Sequence, residues 1–111
     1  MSSKTLLTIL LAFTATAQAG EEVNVYSHRH YPVDRMLFEQ FTEQSGIRVN
    51  VVKASADQLI KRLEVEGDQS PADVLITVDA GRLFRAQSKG LLQPVESKRL
   101  KDQVPAHLRD P

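Results

Sequence analysis

The sequence predicts an α/β protein, βαβαβα around a parallel sheet of strand order 2-1-3. Three observations predict it. Short runs of β-branched and apolar residues alternate with stretches whose apolar residues recur at intervals of three and four. Helix caps and glycine stops punctuate the chain between these stretches. Each strand is joined to the next by a helix-length crossover, which favours parallel pairing through right-handed connections.

In chain order, Val23, Val25 and Tyr26 mark a strand over residues 23–27. Pro32 suits the first helical position, and Asp34 places a negative charge in the first turn, where the helix dipole favours it. Val33, Met36, Leu37, Phe38 and Phe41 carry this helix to about residue 44, and Gly46 stops it. Ile47, Val49, Val51 and Val52 make the second strand. Ser55 and Gln58 have capping-box spacing, opening a helix with Leu59, Ile60, Leu63 and Val65 that Gly67 ends. After the turn at residues 67–71, Val74, Leu75 and Ile76 form the third strand. A third helix over residues 80–88 carries Leu83 and Phe84 and is capped by Gly90. Leu91, Leu92 and Val95 are expected to pack back on the core. Residues 97–101 should form a short helical turn, which Pro105 keeps from extending.

In the order 2-1-3 the connections leave strand one in opposite directions, opening a crevice at the carboxyl ends of strands one and three. Those ends carry Ser27-His28-Arg29-His30-Tyr31 and Thr77-Val78-Asp79. His30 offers an imidazole nitrogen, Tyr31 a phenolate oxygen once deprotonated and Asp79 a carboxylate. These are hard and borderline metal ligands, suited to a hard trivalent cation. A phenol gives up its proton in water only near pH ~10, and a cation bound to the oxygen lowers that strongly. Binding should therefore release protons and weaken in acid.

Each residue also has a plainer role open to it. His28 and His30 share a face of an extended segment with or without a metal. Tyr31 can pack as an aromatic at the helix entry, and Asp79 can serve as the N-cap of the third helix. Tyr26 reads as core, Arg29 as solvated or ion-paired, and Arg82 with Arg85 as the outer face of a helix.

Composition removes several classes of function. Lys4, the apolar run 6–13 and Ala17-Gln18-Ala19 have the order of a secretory signal, so residues 1–19 should be cleaved and the mature chain should start near Gly20. The apolar run is far shorter than the ~20 residues that span a bilayer. Without Lys4 the mature part carries 13 basic residues against 14 acidic ones, a net charge of −1 with no basic stripe, which gives nucleic acid nothing to hold. There are no cysteines, which excludes disulfides, thiolate sites and Cys nucleophiles. Ser27 lacks a G-x-S-x-G context, and no glycine-rich loop follows strand one. A hydrolytic metal site would have only His28 as general base, so an exported metallo-enzyme ranks below a binding protein.

The runs Asn24-Val25-Tyr26-Ser27-His28-Arg29-His30-Tyr31, Phe41-Thr42-Glu43-Gln44-Ser45-Gly46-Ile47 and Gly67-Asp68-Gln69-Ser70-Pro71-Ala72-Asp73-Val74-Leu75-Ile76-Thr77-Val78-Asp79 carry a further signal. With them the chain closely resembles periplasmic ferric iron-binding proteins, the solute-binding components of iron ABC importers. The resemblance covers essentially all of residues 20–111 and implies the first part of the N-terminal lobe of a type II-like periplasmic binding protein, about a third of the usual chain. The second lobe, with its paired tyrosines, is absent.

It further implies Fe(III) as the transported ligand, possible help from a synergistic anion, an inner-membrane permease as partner and a monomeric full-length protein. The family's N-lobe histidine ligand falls on His30 and the tyrosine of its tyrosine-rich members on Tyr31. Other members have glutamate where this chain has Asp79, which suggests a supporting role there. A carrier for another small anion or organic solute, with Arg29 and helix N-termini as donors, is the alternative.

Overall fold

The computed structural model describes residues 20–110. The expected signal segment, residues 1–19, lies outside them. The elements run β1 (Glu22–Ser27), α1 (Pro32–Ser45), β2 (Arg48–Lys53), α2 (Ala56–Glu66), β3 (Val74–Ile76), α3 (Ala80–Ser88) and α4 (Lys98–Gln103), with short 3-10 turns at Gly67–Gln69 and Ala106–Leu108.

The sheet has the order β2-β1-β3, with both pairings parallel. Val25 stands opposite Val51 on one side and Val74 on the other. The punctuation works as the residues suggest. Gly46 turns α1 out at φ 74, and its N–H donates to the Thr42 carbonyl. The Ser55 hydroxyl accepts the Gln58 N–H at 3.2 Å while the Gln58 side chain accepts the Ser55 N–H at 3.1 Å, a complete capping box. Gly67 leaves α2 at φ 53, a conformation that favours glycine.

Right-handed crossovers to opposite sides of β1 place α1 and α2 on opposite faces of the sheet. The α2 face is the packed one. Tyr26, Leu59, Ile60, Ala56 and Ala86 are buried there or beside it. Tyr26 also donates its hydroxyl to Glu66 at 2.8 Å, tying the end of α2 to the central strand. Arg62 lies over the Tyr26 ring at 4.9 Å and pairs with the same Glu66. Burial, then the bond to Glu66, push the Tyr26 phenol above its ordinary value.

On the other face Phe38 joins Ser27, Val49 and Val51 around a cavity of about 250 Å³. The α1 stripe Val33, Met36, Leu37 and Phe41 stays exposed.

The segment after α3 departs from expectation. Leu91 is half-buried and its N–H reaches the Ala86 carbonyl, but Leu92 is exposed and Val95 is 70% exposed. Val95 instead lines a separate apolar groove with Leu100, Val104 and Leu108. Pro94 removes a donor and carries the chain away from the sheet before Ser97, whose hydroxyl accepts the Leu100 N–H and starts α4.

Asn24 fixes where β3 begins. Its side chain accepts from Asn50 of β2 at 3.0 Å and donates to the Pro71 carbonyl at 3.0 Å. Its main-chain N–H donates to the Asp73 carboxylate at 2.8 Å, and its carbonyl accepts the Asp73 N–H at 2.8 Å. The loop Ser70-Pro71-Ala72-Asp73 is thus clamped to the central strand, and the position of Asp79 follows from it.

Candidate metal-binding site

The first rim of the crevice is the exit of β1. The strand ladder continues one residue past β1 as the His28 N–H donates to the Ile76 carbonyl at 2.9 Å, which sets the β1 and β3 exits side by side. Ser27, buried at the strand end, folds the next residues into a tight turn. Its hydroxyl accepts the Arg29 N–H at 3.1 Å and donates to the Arg29 carbonyl at 3.3 Å. The rings of His28 and His30 meet edge to face, with centroids 6.1 Å apart. His28 is half-buried, and its Nδ1 is buried without a hydrogen-bond partner among the described residues, while His30 is exposed.

Tyr31 holds the N-cap position of α1. It has extended backbone at φ −83 and ψ 138, and its carbonyl accepts the Asp34 N–H at 3.1 Å. Its side chain makes no cap bond and the residue is 56% exposed, so the phenol oxygen is not spent on the helix. Asp34 reaches back to Arg29, Nε to Oδ2 at 3.2 Å and a terminal nitrogen to Oδ1 at 3.0 Å. The Arg29 guanidinium carbon in turn stands 5.1 Å from the centre of the Tyr31 ring. Arg29 is therefore ion-paired, one of the two states its sequence context leaves open.

The second rim is the exit of β3, where the polar groups bond among themselves. The Thr77 hydroxyl donates to the Asp79 carbonyl at 2.9 Å, and one Asp79 carboxylate oxygen accepts the Arg82 N–H at 2.7 Å as the N-cap of α3. The other oxygen pairs with the Arg82 guanidinium. The Arg82 N–H, then its side chain, hold the Asp79 carboxyl below the usual carboxylate range, with a smaller contribution from His28 on the facing rim.

The structure thus keeps His30 and Tyr31 open on the β1 rim and commits Asp79 to its helix. Among the described residues no three or more His, Cys, Asp and Glu side chains gather closely enough to hold a metal ion. The contacts between Arg29, Asp34 and Tyr31 are absent from the sequence reading, which takes Asp34 only as a helix-dipole charge. The signal for them was the basic residue two places before an N-cap position, with an acid in the third helical position.

An α/β lobe with open donors at the carboxyl end of its central strand is an arrangement suited to holding a ligand in the crevice. The chain belongs to the bacterial extracellular solute-binding protein family, whose model matches residues 27–109. It is similar to iron uptake protein A1 of a Synechocystis species, 50% identical over 91 residues, which is 82% of this chain and 25% of that protein. Among solved structures, a Trichodesmium protein in complex with iron and citrate ligands superposes with a TM-score of 0.77 at 50% identity, over 81% of this chain and 28% of that one. A ferric binding protein from Campylobacter jejuni gives a TM-score of 0.77 at 51% identity, over 79% and 28%. The chain spans about a quarter to a third of the length of the relatives it matches. These relatives are named for uptake and binding, and the family is one of solute-binding proteins.

Proposed function

We propose that the chain is the first part of the N-terminal lobe of a periplasmic Fe(III)-binding protein that hands iron to an inner-membrane ABC permease. Residues 1–19 act as its export signal. His30 and Tyr31 are the ligands this lobe contributes. Asp79 supports the rim without touching the metal, and a second lobe supplies the remaining ligands, with or without a synergistic anion. The observation that carries the reading is the open His30-Tyr31 pair at the carboxyl end of the central strand, in a chain half identical to an iron uptake protein. Arg29, the cation an anion carrier would need, is already paired with Asp34.

The chemistry follows from the donors. The phenol must lose its proton and the imidazole must be in its neutral form, with one ring nitrogen bare, so iron uptake releases protons and acid reverses it. Two ligands from one lobe give weak binding in this chain and tight binding once the second lobe closes over them.

The test is an Fe(III) titration with ferric nitrilotriacetate, followed by the visible phenolate-to-iron charge-transfer band and by proton release. A Tyr31-dependent band with weak affinity supports the proposal. Tight stoichiometric binding by residues 20–111, or a band unchanged by Tyr31→Phe, contradicts it.

A further inference from the structure

We infer that Arg29 is a positioning residue for Tyr31, held in place by Asp34, and that this three-residue clasp sets the orientation of the phenol before iron arrives. The inference rests on the reading of Tyr31 as a ligand.

Three contacts close a ring of Arg29, Asp34 and Tyr31, and Ser27 anchors it. The Arg29 backbone is pinned by the buried Ser27 hydroxyl through both its N–H and its carbonyl. Its side chain is forked onto both Asp34 oxygens, at 3.2 and 3.0 Å. The Asp34 carboxylate is only 16% exposed, so this pair is screened less than an ordinary surface pair. Asp34 also donates its N–H to the Tyr31 carbonyl at 3.1 Å. The guanidinium lies against the Tyr31 ring at 5.1 Å, within cation–π range. Asp34 therefore governs both ends of Tyr31, the backbone directly and the ring through Arg29.

An exposed phenol free to rotate would lose that freedom on binding iron, and a ring already held loses less. Arginine suits the role because its planar fork can bind a carboxylate and stack on a ring at once. Lysine keeps the charge but has neither geometry.

Arg29→Lys and Asp34→Asn in this chain test the inference, with Tyr31→Phe as reference. The first readout needs no metal: nuclear Overhauser contacts between the Arg29 side chain and the Tyr31 ring, with upfield-shifted Arg29 protons. The second is the ferric nitrilotriacetate titration.

The wild type and Tyr31→Phe should show the ring contacts, and Arg29→Lys and Asp34→Asn should lose them. Both of those variants should also bind iron about 2- to 5-fold more weakly, with the charge-transfer band still present. Absent contacts in the wild type overturn the inference. So does unchanged or stronger iron binding in Arg29→Lys, the latter showing that the cation merely repels the metal. If Tyr31→Phe keeps the full band, the ligand reading itself fails. If Tyr31→Phe loses the band while Arg29→Lys changes nothing, only the positioning role fails.

Discussion

The two rims of the crevice are built from similar residue types and do opposite things with them. At the β1 exit the structure fixes the backbone and leaves the side chains of His30 and Tyr31 open: Ser27 ties the turn, and Tyr31 occupies an N-cap position without capping. At the β3 exit the side chains are the ties, with Thr77 bonded to Asp79 and Asp79 bonded to Arg82 twice. A carboxylate that saturates a helix N-terminus has little left for a metal, whereas a phenol at a helix start that needs no cap from it is available. One rim leaves its donors open, and the other ties them into the fold.

The largest effect should come from the core under both rims: Leu59→Ala removes a fully buried side chain and should cost about 2–5 kcal/mol in chemical denaturation. It should weaken iron binding only as far as it unfolds the chain. Next, Tyr31→Phe should lower Fe(III) affinity at least ~10-fold, because even partners outside the ligand shell commonly cost 10- to 100-fold. At 56% exposure the same change should leave the melting temperature almost untouched.

Asp79→Ala should do the reverse, lowering the melting temperature by loss of the α3 cap, with Asp79→Ser restoring it and iron affinity constant throughout. The smallest effect is in the pH profile. The Asp79 carboxyl is depressed below its ordinary 3.8, so its contribution to stability is present above that value and is lost as the pH falls through the lower folded one. Tyr26 is raised above 10.0, so its contribution is present below that pH and is lost in stronger base. Iron should leave in milder acid than the acid that titrates the Asp79 cap, and a calorimetric pH series with and without iron would separate the two events.

Much of this was legible from local chemistry. Capping residues, glycine stops and β-branched runs act within a few positions, so Ser55 with Gln58, Gly46 and the three strands fall where the sequence puts them. Crossover length and handedness implied the parallel pairing, and setting strand three beside strand one implied the order 2-1-3 and the pairing of the two exits.

What stayed hidden depends on contacts distant in sequence or on choices between partners. Tyr26 reads as core, but its bond to Glu66 required the end of α2 to return over β1. Val95 looks like any apolar residue following a helix, and Pro94 and the Ser97 cap sent it to another groove. Asp79 was open to two roles, and the cap depends on Arg82 bonding it both through its main-chain N–H and through its side chain. Asp34 has a sufficient local reason in the helix dipole, which masked its grip on Arg29.

The most direct test of the division between the rims compares the wild type, Tyr31→Phe and Asp79→Ser in competition with nitrilotriacetate for Fe(III), read in the visible charge-transfer band. Tyr31→Phe should lose most of the band and bind at least ~10-fold more weakly, with Asp79→Ser indistinguishable from wild type. An Asp79→Ser variant that loses as much affinity as Tyr31→Phe, or a Tyr31→Phe variant with the band intact, would contradict that division.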